Sequence, residues 1–196
     1  MKATILFAVL FVLSSCAASN PTRTELLQME KIDQEPRNQA SAEGMDSVSK
    51  DTALWHRMAF VDSTNTKRLR ELLGSAAWFT KEEVGSAGLS AAFIIVQHSP
   101  DYEFMKRCLP YIEKQARSGD LDMQQYAMLL DRTLMHDNKP QVYGTQFEQV
   151  NGELVPYKIE DEANLDKRRA EAGLMPMKAY KDLLNQVYPQ SGKKEK

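Results

Sequence analysis

Between residues 24 and 188, apolar residues recur mainly at three- and four-residue intervals, the spacing of one helix face. Thr24–Arg37 carries Leu26, Leu27, Met29 and Ile32 in this pattern. It is expected to end beside Pro36, since proline removes a helical hydrogen bond. Asn38–Lys50, rich in Ser, Ala, Asn and Gln, reads as a loop. Asp51–Leu73 predicts a second helix, capped by Asp51 and stopped by Gly74, with Leu54, Met58 and Val61 on one face. Thr80-Lys81-Glu82-Glu83 is a capping box that opens a third helix. Gly85, Gly88, Ala91 and Ala92 in that helix predict a face where another backbone comes close. Ser99-Pro100-Asp101 separates it from a fourth helix through Phe104, Leu109 and Ile112 to Gly119.

Leu121–His136 follows as a fifth helix, with Met123, Tyr126, Ala127, Leu130 and Leu134 directed at the core. The period then changes. Gln141–Val150 and Leu154–Lys158 are β-prone and flank Asn151-Gly152, the strongest short hairpin signal. Asp161–Gly173 and Pro176–Tyr188 return to helix. No constant period repeats, so a regular solenoid is disfavoured. The expectation is a mainly α fold: an antiparallel helical bundle with one small β-hairpin near the C-terminal third, as a single helical domain over 24–188 with a flexible basic tail at 189–196.

The first residues have a different character. Lys2 precedes the largely apolar run Ala3–Leu13, which has the length of a secretory core and is too short to span a bilayer comfortably. It ends in Leu13-Ser14-Ser15-Cys16, which resembles the bacterial lipobox. Residues 1–15 are therefore expected to be a signal peptide and Cys16 the acylated first residue of a lipoprotein, with residues 16–23 as tether. Several acyl chains, palmitate among them, would hold the protein at a membrane, at about 0.8 kcal/mol per buried methylene. Ala17 is not the aspartate that retains enterobacterial lipoproteins in the inner membrane. The outer membrane, facing the periplasm, is the expected address. With Cys16 acylated, Cys108 has no disulfide partner, and its apolar neighbours Met105 and Leu109 make it a buried hydrophobe.

Formal net charge is −2, and loss of Lys2 makes it more negative. Such a balance gives no electrostatic case for nucleic acid. No Walker loop, H-E-x-x-H, G-x-S-x-G or paired C-x-x-C occurs, and His56, His98 and His136 lack metal-ligand spacing. No metal and no cofactor is expected. The remaining chemistry lies in polar clusters at element ends. Gln97-His98 closes a helix, where dipole capping is the plainer role. Asp131 and Arg132 are adjacent in a helix and diverge by about 100°, so one of them is expected to be buried and paired. Gln141, Tyr143, Thr145 and Gln146 crowd an expected strand around Gly144, and Arg168-Arg169 reads first as a solvated face.

Together with Asp33-Gln34-x-x-Arg37, Val84-Gly85, Asp161 and Arg168-Arg169-x-x-x-Gly173-Leu174, these stretches resemble a bacterial family known only as a domain of unknown function. The resemblance spans nearly the whole mature chain. The departures are Ala77-Trp78-Phe79-Thr80, where relatives often carry Gly-Trp-Pro-Thr, and the insert-like stretch Asn38–Lys50. The resemblance implies a domain boundary and no reaction.

Two functions fit this reading. The first is a membrane-anchored binding module for a polar small molecule, a glycan or an envelope protein. It would use Gln97, Gln141, Tyr143, Thr145 and Gln146, with Arg132 or Arg169 for a negative group. The alternative is an envelope hydrolase or transferase in which His98 is the acid/base, oriented by Asp131, and Gln146 or Arg132 stabilises developing charge. Both place His98, Asp131 and Gln146 around one pocket.

Overall fold

A computed structural model describes residues 20–43, 51–151 and 153–187. The expected signal peptide, Cys16, Gly152 and the basic tail lie outside the described residues. Five long helices come first: α1 (Pro21–Glu43), α2 (Thr52–Leu73), α3 (Lys81–Gln97), α4 (Tyr102–Ser118) and α5 (Met123–His136). A hairpin of β1 (Phe147–Val150) and β2 (Glu153–Pro156) follows, then a 3-10 turn at Glu162–Asn164, α6 (Leu165–Glu171) and α7 (Met177–Val187). The strands pair antiparallel, Phe147 opposite Pro156 and Val150 opposite Glu153, and Asn151 takes the positive φ that the turn requires. The fold is mainly α with one small hairpin, as the periodicity predicts.

The central element is α3, which packs against α1, α2, α4 and α5. Its sequence explains this position. Val84, Leu89, Ala91, Ala92, Phe93, Ile95 and Val96 are all buried, so apolar groups run round most of its surface. The core adds Leu26, Leu69, Met105, Ile112 and Leu129, each worth roughly 1.5–3 kcal/mol on burial. Cys108 lies within this core, and burial pushes its thiol up to about 12, so it packs as an inert small hydrophobe.

Caps form where the residues call for them. The Asp51 carboxylate accepts from the Leu54 N–H at 3.0 Å, Gly74 closes α2 at φ 53°, and Thr80 and Glu83 exchange both bonds of a capping box. Two expectations need correction. First, α1 runs on through Pro36 to Glu43, so part of the expected Asn38–Lys50 loop is helix. Pro36 is buried, and the Arg37 guanidinium donates at 2.9 Å to the Asp33 carbonyl in the turn the proline disturbs. Ala40 also packs on Leu54 and Met58, giving the last turns of α1 an apolar partner on α2. Second, Ile32 is exposed, and on α5 Leu129 joins Tyr126 and Ala127 in the core while Met123, Leu130 and Leu134 are half-buried.

Gly85 interrupts the start of α3 at φ 68°, ψ 169°, a conformation open essentially to glycine alone. The kink brings the Val84 side chain so close to Gly88 that a Cβ there would lie 2.7 Å from it, with Arg23 of α1 at 3.7 Å. Gly85→Ala has open space for its methyl group, the nearest atom being 3.6 Å away on Arg23, so its cost is backbone strain alone. Urea denaturation should show a loss of about 1–3 kcal/mol at unchanged m-value. An unchanged midpoint would mean that the kink is not imposed by Gly85.

Candidate functional site

The apolar stripe of α1 turns polar at Asp33. Leu26, Met29 and Asp33 fall on one helix face, and all three are buried. A fully enclosed carboxylate needs partners, and the neighbouring helices supply them. His98 Nδ1 lies 2.8 Å from Asp33 Oδ2, and Gln34 Nε2 donates to the same oxygen at 2.8 Å. Arg37 Nη1 stands 3.3 Å from Oδ1 as an ion pair. The other arm of Arg37 forks onto Asp62 of α2, at 2.7 and 2.9 Å from its two oxygens. Burial pushes the Asp62 carboxyl up, and Arg37 draws it back down. One turn before Asp33, burial and then the Asp33 charge push Glu30 up.

At the end of α3, Gln97 is 2 % exposed and His98 closes the helix. Arg132 of α5 donates through Nη1 to the Gln97 carbonyl at 2.7 Å, as cations do at helix C-termini. Burial pushes its guanidinium down, and nearby Arg37 adds to that effect against Tyr102 and Asp62. Among the described residues, the buried side-chain atoms without a hydrogen-bond partner are Asp33 Oδ1, Gln97 Nε2, Gln97 Oε1 and Arg132 Nε. All four belong to this one junction of α1, α3 and α5.

A cleft of about 560 Å³ opens beside it. One wall is Phe93, Ile94, Gln97 and His98 of α3. The other is Asp122 with Met123, Gln124, Gln125 and Met128 of α5, and Ala172-Gly173-Leu174 completes the lining. The His98 side chain keeps 19 % exposure there. Among the described residues, no Ser, Thr, Cys or Lys lines this cleft, which leaves water, the Asp122 carboxylate and the His98 imidazole as groups that could act as nucleophile in it.

Asp33, Asp62 and His98 each offer one donor atom within 4.8 Å of the others, a grouping that could hold a divalent ion. The Arg37 fork already occupies both Asp62 oxygens. The residues are thus arranged around a guanidinium, and a metal would have to displace it.

Asp131 is one residue from Arg132 but takes part in a different structure. Its Oδ1 accepts from the N–H groups of Val142 and Tyr143 at 2.8 and 3.1 Å, and its Oδ2 from the Thr145 N–H and Oγ1 at 2.9 and 3.0 Å. Burial pushes this carboxyl up, and the four hydrogen bonds pull it down. Gln141 Nε2 donates to the carbonyls of Gln146 and Tyr157 at 3.0 and 2.8 Å, and its Oε1 accepts from the Gln146 N–H at 2.8 Å. The expected strand at Gln141–Gln146 is therefore a loop curled around Asp131, and the ladder begins at Phe147. The carboxylate and the glutamine amide satisfy backbone groups that a second strand would otherwise have paired. Gly144 sits at φ 66°, where a Cβ would come within 3.0 Å of Ile159.

The arginine pair braces the same loop. Arg169 donates to the Tyr143 and Met175 carbonyls at 2.6 Å each. Arg168 donates to the Val142, Asp161 and Glu160 carbonyls. Neither arginine is a solvated face.

The sequence-predicted residues thus divide. Gln97, His98 and Arg132 gather at the first junction. Asp131, Gln141, Tyr143, Thr145, Gln146 and Arg169 form the second cluster. The carboxylate paired with His98 is Asp33 rather than Asp131. The two clusters touch where Gln146 Nε2 reaches the carbonyl of Met128, a cleft residue, at 3.4 Å. The site roles of Asp33, Arg37 and Asp62 were not legible from local pattern. Asp33 and Arg37 stood out as the motif Asp33-Gln34-x-x-Arg37, which names no partner, and nothing marks Asp62.

Residues 21–193 match the model of a family of unknown function, DUF6624. The chain belongs to this family. No curated protein and no solved structure matches it. The family match covers all the described helices, both polar clusters included.

Asp131→Ala would strand three backbone N–H groups at once, at about 1–3 kcal/mol each. Urea unfolding should show a loss of at least about 3 kcal/mol, with the mutant unable to hold 141–146 protected in hydrogen exchange. Wild-type-like protection would show that Asp131 does not shape the loop.

Proposed function

We propose that this chain is a membrane-anchored lipoprotein of the bacterial envelope whose His98, oriented by Asp33, acts as acid and base on a polar ligand in the adjacent cleft. One observation carries the reading: His98 Nδ1 is 2.8 Å from the buried Asp33 carboxylate while the same ring borders a cleft of about 560 Å³. A carboxylate on Nδ1 fixes ring orientation and leaves Nε2 for proton transfer, an arrangement worth about 10²–10⁴ in rate. With His98 assigned to proton transfer, the reaction is attack by a water or a substrate hydroxyl that His98 deprotonates, hence hydrolysis or transfer. Gln97, Gln124 and Gln125 supply amides for orienting a polar substrate.

The anchor sets the substrate's location. Lipidation of Cys16 places the start of α1 at the membrane surface. Asp33 stands twelve residues along α1 from Pro21, about 18 Å of helix. The site would then face material close to the membrane. No helix among the described residues is long and apolar enough to cross a membrane. The second reading is a binding module without chemistry, favoured by the Gln97 amide, which borders the cleft with neither of its atoms hydrogen-bonded.

Two experiments test the proposal. Cys16→Ala should remove labelling by an alkyne fatty acid and shift the protein out of the membrane fraction; equal labelling of the variant ends the lipoprotein reading. For the chemistry, the full chain is incubated with peptidoglycan digests and lipid extracts of its host, and products are followed by mass spectrometry. New products should form with the wild type and fall by about 10²-fold or more in His98→Gln and Asp33→Asn. Unchanged molecules bound equally by all three chains would establish binding alone.

A further inference from the structure

The geometry points to Arg132 as the anion-recognising group of this site, for a phosphoryl or carboxylate group carried on an apolar chain. This rests on the cleft beside His98 being the functional site and names the ligand class that it takes.

Four arginines stand in or beside the polar clusters, and three have their own partners: Arg37 is held by the Asp33 and Asp62 carboxylates. Arg169 and Arg168 donate to backbone carbonyls and hold the 141–146 loop. Among the described residues, Arg132 has one hydrogen bond, to the Gln97 carbonyl, and its Nε is buried without a partner. No carboxylate among the described residues lies within ion-pair distance of it, although Asp62 acts on it from farther away. A largely enclosed guanidinium with a single neutral acceptor is costly to keep, and an incoming oxyanion would meet that cost through two parallel N–H···O bonds.

The position of Arg132 fits this role. Gln125 and Met128 line the α5 wall of the cleft, and Arg132 is the next residue on that same face, at i, i+3 and i+7. Ile94, Gln97 and His98 form the matching stripe on α3. The cleft thus has an apolar part, Phe93, Ile94 and Met123, and a polar part, Gln97 and His98; Arg132 stands behind that polar part, bonded to the Gln97 carbonyl and one turn past Met128. Gln97 adds an independent mark of a ligand: it is 2 % exposed, borders the cleft, and neither of its amide atoms is hydrogen-bonded. Its Nε2 would join Arg132 in donating to the oxyanion, and its Oε1 would accept from a hydroxyl or protonated oxygen of the same group.

The test uses the full chain in detergent, with hexyl phosphate, hexanoate, inorganic phosphate and hexanol as probes, read by thermal melting and titration calorimetry. Hexyl phosphate or hexanoate should raise the melting temperature and bind at least 10-fold tighter than hexanol and inorganic phosphate. The stronger of the two hexyl probes separates a phosphoryl from a carboxylate ligand. Arg132→Met should melt at or above the wild-type temperature without ligand and lose at least 10-fold in affinity. Arg132→Lys should retain part of that affinity. Three results would overturn the proposal: affinity that survives in Arg132→Met, hexanol or inorganic phosphate binding as well as the hexyl anions, or Arg132→Met melting several degrees lower without ligand, which would make Arg132 a helix cap only. Because the readout is binding, its outcome is separate from that of His98-dependent turnover.

Discussion

The burial of Asp33 sets the arrangement of the N-terminal half. A carboxylate on the inward stripe of α1 cannot avoid the interface, and leaving it without partners would cost several kcal/mol. It is accommodated by drawing in one group from each side: Arg37 from its own helix, His98 from the end of α3, and through Arg37 the Asp62 carboxylate of α2. These contacts fix how far α1 slides along α3 and how α2 sits beside both. The helix must also continue past Pro36, because Arg37 works from the turn that follows Asp33. The polar side chains that register the bundle are thus the ones that orient His98.

The C-terminal half follows a parallel logic from the neighbouring position on α5. Adjacent helical residues point about 100° apart, so Asp131 and Arg132 serve different neighbourhoods. Asp131 gathers the 141–146 loop, and Arg168 and Arg169 close around it. The Leu174 N–H bonds the Arg169 carbonyl at 2.8 Å, and Leu174 lines the cleft. The loop's own chemistry is internal, yet it places the last wall against which His98 faces.

Helix number, most caps and the hairpin were legible because they depend on spacing and on residues that act within four positions of themselves. Asp51, Thr80 and Asn151 carry their instructions locally. What was not legible is pairing at long range. Gln141–Gln146 is β-prone in its residues, but a carboxylate eleven positions before Val142 meets its N–H groups first, and no local pattern reports that. His98 invited pairing with Asp131, thirty-three positions away; the partner it found, Asp33, is sixty-five away and on a helix whose register depends on tertiary packing. Arg132 and Arg169 were grouped alike with Gln97; Arg132 bonds the Gln97 carbonyl, whereas Arg169 braces the 141–146 loop. Residue type alone does not separate a brace from a guanidinium with an unpartnered donor; the count of satisfied donors does.

That count also distinguishes the two polar clusters from each other. Around Asp131 both carboxylate oxygens and every buried amide atom of Gln141 and Gln146 has a partner, as expected where polar groups serve to hold a loop. Around His98 four buried atoms make no hydrogen bond: Asp33 Oδ1, which keeps the Arg37 ion pair, both amide atoms of Gln97, and Arg132 Nε. Polar groups kept inside a protein without partners lower its stability by about 1–3 kcal/mol each, and replacing them with apolar groups of similar shape would relieve that cost. A chain that could close one polar cluster completely has left the other open, at the wall of its His98 cleft. The open cluster is where a bound molecule can supply the missing hydrogen bonds, so the difference in satisfaction, more than the presence of a histidine, separates the site from the scaffold.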